Sequence, residues 1–180
     1  MRCFICIDLP REVQSELARL QSELPSDSKL ILVKPKDIHL TIKFLGDIDE
    51  NKAERIKDLL KKLNFQKFKA KINGSGFFPT PSFIRVIWAG LEPKAEFEKI
   101  HAIVDKLLSL EEFKPDKEWQ NHATLARVKW IRDKNAFIEQ IKQIKLKPIE
   151  FTVDNIKFKK STLTPEGPIY EELLSLKFNQ

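Results

Sequence analysis

Two histidines and two threonines are the residues of this chain whose types and spacing could do chemistry. His39 and Thr41 stand two apart in Ile38-His39-Leu40-Thr41-Ile42-Lys43-Phe44-Leu45, as do His122 and Thr124 in Asn121-His122-Ala123-Thr124-Leu125-Ala126-Arg127-Val128. A neutral imidazole can take a proton from an attacking water or hydroxyl while a second, as imidazolium, gives one to a departing oxygen. A threonine hydroxyl beside each ring can donate a hydrogen bond to a non-bridging phosphate oxygen. Lys43 adds positive charge. The reaction such a set suits is cleavage of a phosphodiester, most easily a strained cyclic one. It needs neither metal nor cofactor, and the sequence has no carboxylate-rich or Cys/His-rich ligand set.

The pairing of the motifs matters more than either alone. A lone His-x-Thr on a strand is more often a core or surface histidine than a catalyst. Here His39 and His122 are 83 positions apart, and so are Thr41 and Thr124. The same interval carries Arg2 onto Arg85, Pro10 onto Pro93 and Phe68 onto Phe151. These landmarks argue for a duplicated unit, with repeats at about 1–82 and 83–180. The third histidine, His101, has Ala18 at the matching position, so a structural or surface role is expected for it.

Each motif must be held by a strand. With a side-chain period of two, His39, Thr41 and Lys43 share one face and Leu40, Ile42 and Phe44 the other. His122 and Thr124 likewise share a face, and the same alternation puts Arg127 opposite His122. Arg2 and Arg85 begin equivalent strands and could hold a phosphate, Arg85 being the stronger candidate, or be solvated strand ends.

The remaining elements follow from periodicity. Strands are expected over 2–9, 65–78, 85–91, 149–159 and 169–178, with a short extended piece at 30–33. Helices are expected from Pro10 to Pro25, over 50–63, 94–110 and 134–144. Gly74 and Gly76 suggest a bulge or a close backbone approach. Strands and helices intermingle without strict alternation. The expected fold is therefore α+β: one two-lobed, pseudo-twofold domain with two mainly antiparallel sheets flanked by helices and a central cleft.

Composition narrows the function classes. The chain has 180 residues, 42% of them hydrophobic, enough for a sizeable core. A net charge of +6 favours a polyanionic partner. No apolar stretch reaches membrane length and the first residues are too short an apolar run for a signal peptide, so a cytoplasmic location is expected. Cys3 and Cys6 lie on opposite faces of one strand and read as core thiols. Abundant Lys and Glu beside a single Met suit a heat-stable protein. The pairs Lys61-Lys62 and Lys159-Lys160 read as solvated surface.

The motifs resemble the 2H phosphoesterase superfamily, specifically its 2′-5′ RNA ligase-like, RNA 2′,3′-cyclic phosphodiesterase group. The resemblance runs through the first strand and Leu9-Pro10, His39 to Gly46, Phe77-Phe78-Pro79, Arg85 to Gly90 and His122 to Arg127. It implies metal-independent hydrolysis of a terminal 2′,3′-cyclic phosphate to a 2′-phosphomonoester. His39 would be the proton donor and His122 the acceptor, with Thr41, Thr124, Lys43 and Arg85 on the substrate. The implied partner is RNA with cyclic phosphate ends, tRNA fragments among them, met by a monomer; 2′-5′ ligation could share the site. Asn121 departs from the Pro often found before the second histidine. A non-catalytic RNA-end-binding module and a phosphodiesterase for small cyclic phosphates are the competing readings.

Overall fold

The computed structural model describes residues 1–179. Among them are nine strands: β1 (Arg2–Asp8), β2 (Lys29–Leu32), β3 (His39–Asp47), β4 (Phe68–Thr80), β5 (Phe83–Glu92), β6 (His122–Trp130), β7 (Glu150–Val153), β8 (Asn155–Thr164) and β9 (Gly167–Lys177). Four helices accompany them: α1 (Arg11–Ser22), α2 (Glu50–Leu60), α3 (Lys94–Leu108) and α4 (Lys134–Gln143). Each helix forms for a local reason. In α1, Val13, Leu17 and Leu20 recur on one face and are fully buried. Asp49 and Asp133 cap α2 and α4 by accepting from the backbone N–H groups of Lys52 and Ala136.

The strands pair antiparallel in the order β7-β4-β5-β6-β3-β1-β8-β9, with β2 added against β6. The fold is α+β with antiparallel pairing, as expected, but the two expected sheets are continuous. Between β3 and β6 one register pair, Leu40 with Ala123, joins β7-β4-β5-β6 to β3-β1-β8-β9. These partners are themselves 83 positions apart, and so are Lys69 and Thr152, which face each other between β4 and β7. A residue paired with its own repeat mate must lie beside a local twofold axis.

Strand partners cross the repeat boundary. β4 precedes residue 82 yet pairs with β5 and β7; β8 follows it yet pairs with β1. Helices are exchanged in the same sense, α3 packing on β3 and α1 touching β6. A single cluster of buried side chains therefore runs through both halves, including Ile5, Leu40 and Ile42 from one and Ile87, Ala123 and Leu125 from the other. The opposite face of the central strands is left for the cleft.

Candidate active site

His39 and His122 are the first residues of β3 and β6, where each strand leaves a loop. His39 Nδ1 donates to the Asp37 carbonyl at 2.7 Å, and His122 Nδ1 donates to the Gln120 carbonyl at 2.8 Å. A carbonyl can only accept, so each Nδ1 carries a hydrogen and each neutral ring keeps an unprotonated Nε2. Neither Nε2 has a partner among the described residues. Aromatic rings hold the imidazoles in place. Phe4 stacks on His39 at 5.0 Å and Tyr170 meets it edge-on at 5.5 Å, while Phe78 packs edge-on against His122 at 5.0 Å. Phe78 is in turn stacked on Trp88.

Both histidines and both threonines line one cavity of about 590 Å³. Burial lowers both imidazole pKa values. For His39 the Asp37 carbonyl and the Asp8 carboxylate work against that fall, and Lys159 adds to it. For His122 the Gln120 carbonyl opposes burial.

Beyond the threonines the strict alternation breaks. Between β1 and β3, Cys6 faces Thr41 but Ile5 faces Lys43, which leaves Ile42 as a bulge. Between β5 and β6, Trp88 faces Thr124 but Ile87 faces Ala126, which leaves Leu125 as a bulge at the matching position. An inserted residue exchanges the faces of everything after it. The two strands consequently share one pattern of burial along all nine residues.

Three readings change as a result. Lys43 was expected beside His39 on the substrate; it is turned inward, 3% exposed, and its ammonium is paired with Asp105 and Asp116 and donates to the Lys114 carbonyl. Arg127 was placed opposite His122; the bulge brings it to the cavity. Phe44, its repeat mate, also turns to the cavity and is 65% exposed. The signal for this was in the second copy, where Val128 follows Leu125 by three positions instead of two.

The arginines at the strand starts divide differently from expectation. Arg2 borders the cavity and Arg85 does not: its guanidinium lies 4.5 Å over the Phe83 ring. The register jumps from Val86 opposite Phe78 to Ile84 opposite Pro79, so Arg85 is left out of the ladder and turned away. Lys159 is also not a solvated lysine, since it binds Asp8 at 2.5 Å below His39. Lys61, by contrast, is exposed as expected.

The remaining candidates are structural. His101 stacks on Trp119 at 4.6 Å and bonds Asp116 at 3.0 Å. Cys3 and Cys6 are both buried, and burial pushes the Cys6 thiol far up, which leaves it unreactive. Gly74 has φ +72° at a register shift in β4. A Cβ on Gly76 would come within 2.5 Å of the Trp88 indole, so the close approach is to a side chain. His101, Asp105 and Asp116 have ligand atoms within 4.8 Å of one another, but the cation the two carboxylates hold is the Lys43 ammonium.

Comparison with known proteins identifies the family and the fold. The family model described as LigT like phosphoesterase matches residues 7–88 and 91–170, one stretch in each half. An RNA 2′,3′-cyclic phosphodiesterase of Methanocaldococcus jannaschii is 39% identical over 172 residues, 95% of this chain and 97% of that protein. The crystal structure of TT0787 of Thermus thermophilus superposes with a TM-score of 0.77 at 28% identity, covering 99% and 98% of the two chains. Apo LigT of E. coli shares the fold, with a TM-score of 0.79 at 18% identity and coverage of 99% and 98%. A chain that brings two His-x-Thr strands to one cavity thus belongs to the LigT-like phosphoesterase family, and it is an enzyme.

Proposed function

We propose that the protein hydrolyses 2′,3′-cyclic phosphate ends of RNA to 2′-phosphomonoesters by paired-histidine acid/base catalysis, with no metal in the reaction. The observation that carries this reading is the matched anchoring of the two rings, which leaves two Nε2 atoms at one cavity. His122 Nε2 takes a proton from water as its oxygen bonds to phosphorus. The P–O3′ bond breaks, and protonated His39 Nε2 gives its proton to the departing oxygen. Asp8 and Asp37 both favour the charged form of His39, whereas among the described residues no carboxylate supports that form at His122. That asymmetry supports His39 as acid and His122 as base.

Thr41 and Thr124 donate to the non-bridging oxygens, and Arg127 and Arg2 supply charge in place of Lys43 and Arg85. Phe44 offers an exposed ring for a base to stack on. The relatives' naming as RNA 2′,3′-cyclic phosphodiesterases supports the substrate class, as does a LigT of the same fold crystallised with 3′-AMP. When a 5′-hydroxyl end replaces water, the same displacement makes a 2′-5′ linkage. Water is abundant, so ligation requires the second end to be held in place.

The test is incubation of an RNA oligomer ending in 2′,3′-cyclic phosphate with the protein in excess chelator. A 2′-phosphate product is expected. A 3′-phosphate product, or binding without turnover, overturns the reading; cleavage of small cyclic nucleotides alone moves the substrate class.

A further inference from the structure

The loop that precedes β6 sets the tautomer of His122, because the Gln120 carbonyl is what its Nδ1 bonds. Residues 112–121 contain no helix or strand, so their conformation depends on side-chain anchors. One anchor is Trp119, whose Nε1 donates to the Thr41 carbonyl at 3.1 Å. Another is Asn121, whose Nδ2 donates to the Leu91 carbonyl at 2.6 Å. The charged anchor is Lys43. From β3 its ammonium reaches Asp105 on α3, Asp116 Oδ1 at 3.0 Å and the Lys114 carbonyl at 2.8 Å. The second oxygen of Asp116 bonds His101, which stacks on Trp119. One buried cation therefore ties α3 and the loop to the strand carrying His39.

We propose that Lys43 is a positioning residue for His122: by clamping the loop at Lys114 and Asp116 it keeps the Gln120 carbonyl aimed at Nδ1. The first repeat thereby orients the catalytic ring of the second. A buried ammonium suits this task because its three hydrogens match the three acceptors around it, and loss of any one leaves an N–H without a partner. As far as catalysis is concerned, the inference rests on His122 being the base.

The experiment reads the ring directly. Long-range 15N–1H spectra of the imidazoles, recorded above their titration range, distinguish the Nδ1–H from the Nε2–H tautomer. The parent protein is expected to show His122 as Nδ1–H. In Lys43→Met, His122 is expected to shift towards the Nε2–H form, kcat to fall about 10- to 100-fold and KM to stay within about twofold. His39, whose acceptor is the Asp37 carbonyl, should keep its tautomer and serves as the internal control. If Lys43→Met does not fold, Asp116→Ala, which removes the loop's charged partner and leaves Asp105, decides alone. A folded variant whose His122 remains Nδ1–H overturns the inference, whatever its activity. A tautomer shift with unchanged kcat leaves the positioning role standing and overturns instead the assignment of His122 as base.

Discussion

At the scale of single residues, each group is set by what its neighbours leave free. The backbone carbonyls of Asp37 and Gln120 occupy Nδ1, so only Nε2 is available for proton transfer. His39→Ala and His122→Ala should each lower kcat about 10²- to 10⁴-fold with little change in thermal stability, measured on a cyclic-phosphate RNA oligomer. Arg127→Met should reduce kcat/KM about 10- to 100-fold through loss of a charge-assisted contact, whereas Arg85→Met should leave it within about twofold. Equal losses in the two arginine variants would contradict the assignment of faces. The histidines also tie stability to pH. Burial lowers both pKa values, so the unfolded chain binds more protons in the window below the ordinary value of about 6.5. The contribution is intact above that value and is lost as pH falls through the folded-state values. Thermal melts should show Tm falling with acidification, and less steeply when both histidines are replaced by Ala.

At the scale of elements, the two bulges decide which side chains face the cavity. A bulge removes a carbonyl from the ladder, and that carbonyl must find another donor. The Leu125 carbonyl accepts from the Val33 N–H at 2.9 Å and from Gln21 Nε2 at 2.8 Å. In the first copy the Thr41 carbonyl accepts from Trp119. The repeats thus contain the same irregularity but are braced at different carbonyls, that of the bulged Leu125 in one and that of Thr41, the residue before the bulged Ile42, in the other. Gln21 is buried and donates to the Val33 carbonyl as well. Gln21→Leu should therefore cost about 1 to 3 kcal/mol in urea unfolding and reduce turnover by moving Arg127. Full stability in that variant would show that the bulge persists without its cap.

At the scale of the whole molecule, two strands with matched motifs 83 positions apart frame the cleft. The pair Leu40–Ala123 places the local axis between β3 and β6 at the centre of the sheet, and the two His-x-Thr strands flank it. Because β4 and β8 pair across the repeat boundary, neither half holds all of its own strand partners. Residues 1–82 expressed alone should lack dispersed amide resonances, and adding residues 83–180 should restore them. Independent folding of either half would contradict the exchanged arrangement. Among the described residues no helix is long and apolar enough to cross a membrane.

Much of this was legible before any coordinates. The interval of 83 positions, the paired motifs, the order of elements and the apolar faces follow from side-chain periodicity, which local sequence records directly. Helix ends moved by a few residues, and the stretch expected as one strand over 149–159 divided at Asp154 into two strands. What tertiary structure decided was the face of each residue after the threonines, the continuity of the sheet and the exchange of strands. Alternation alone sent Lys43 to the cleft and Arg127 away from it, and a single unpaired residue in each strand reversed both. Register is a relation between two strands, fixed by partners far along the chain, so one strand's own residues do not contain it.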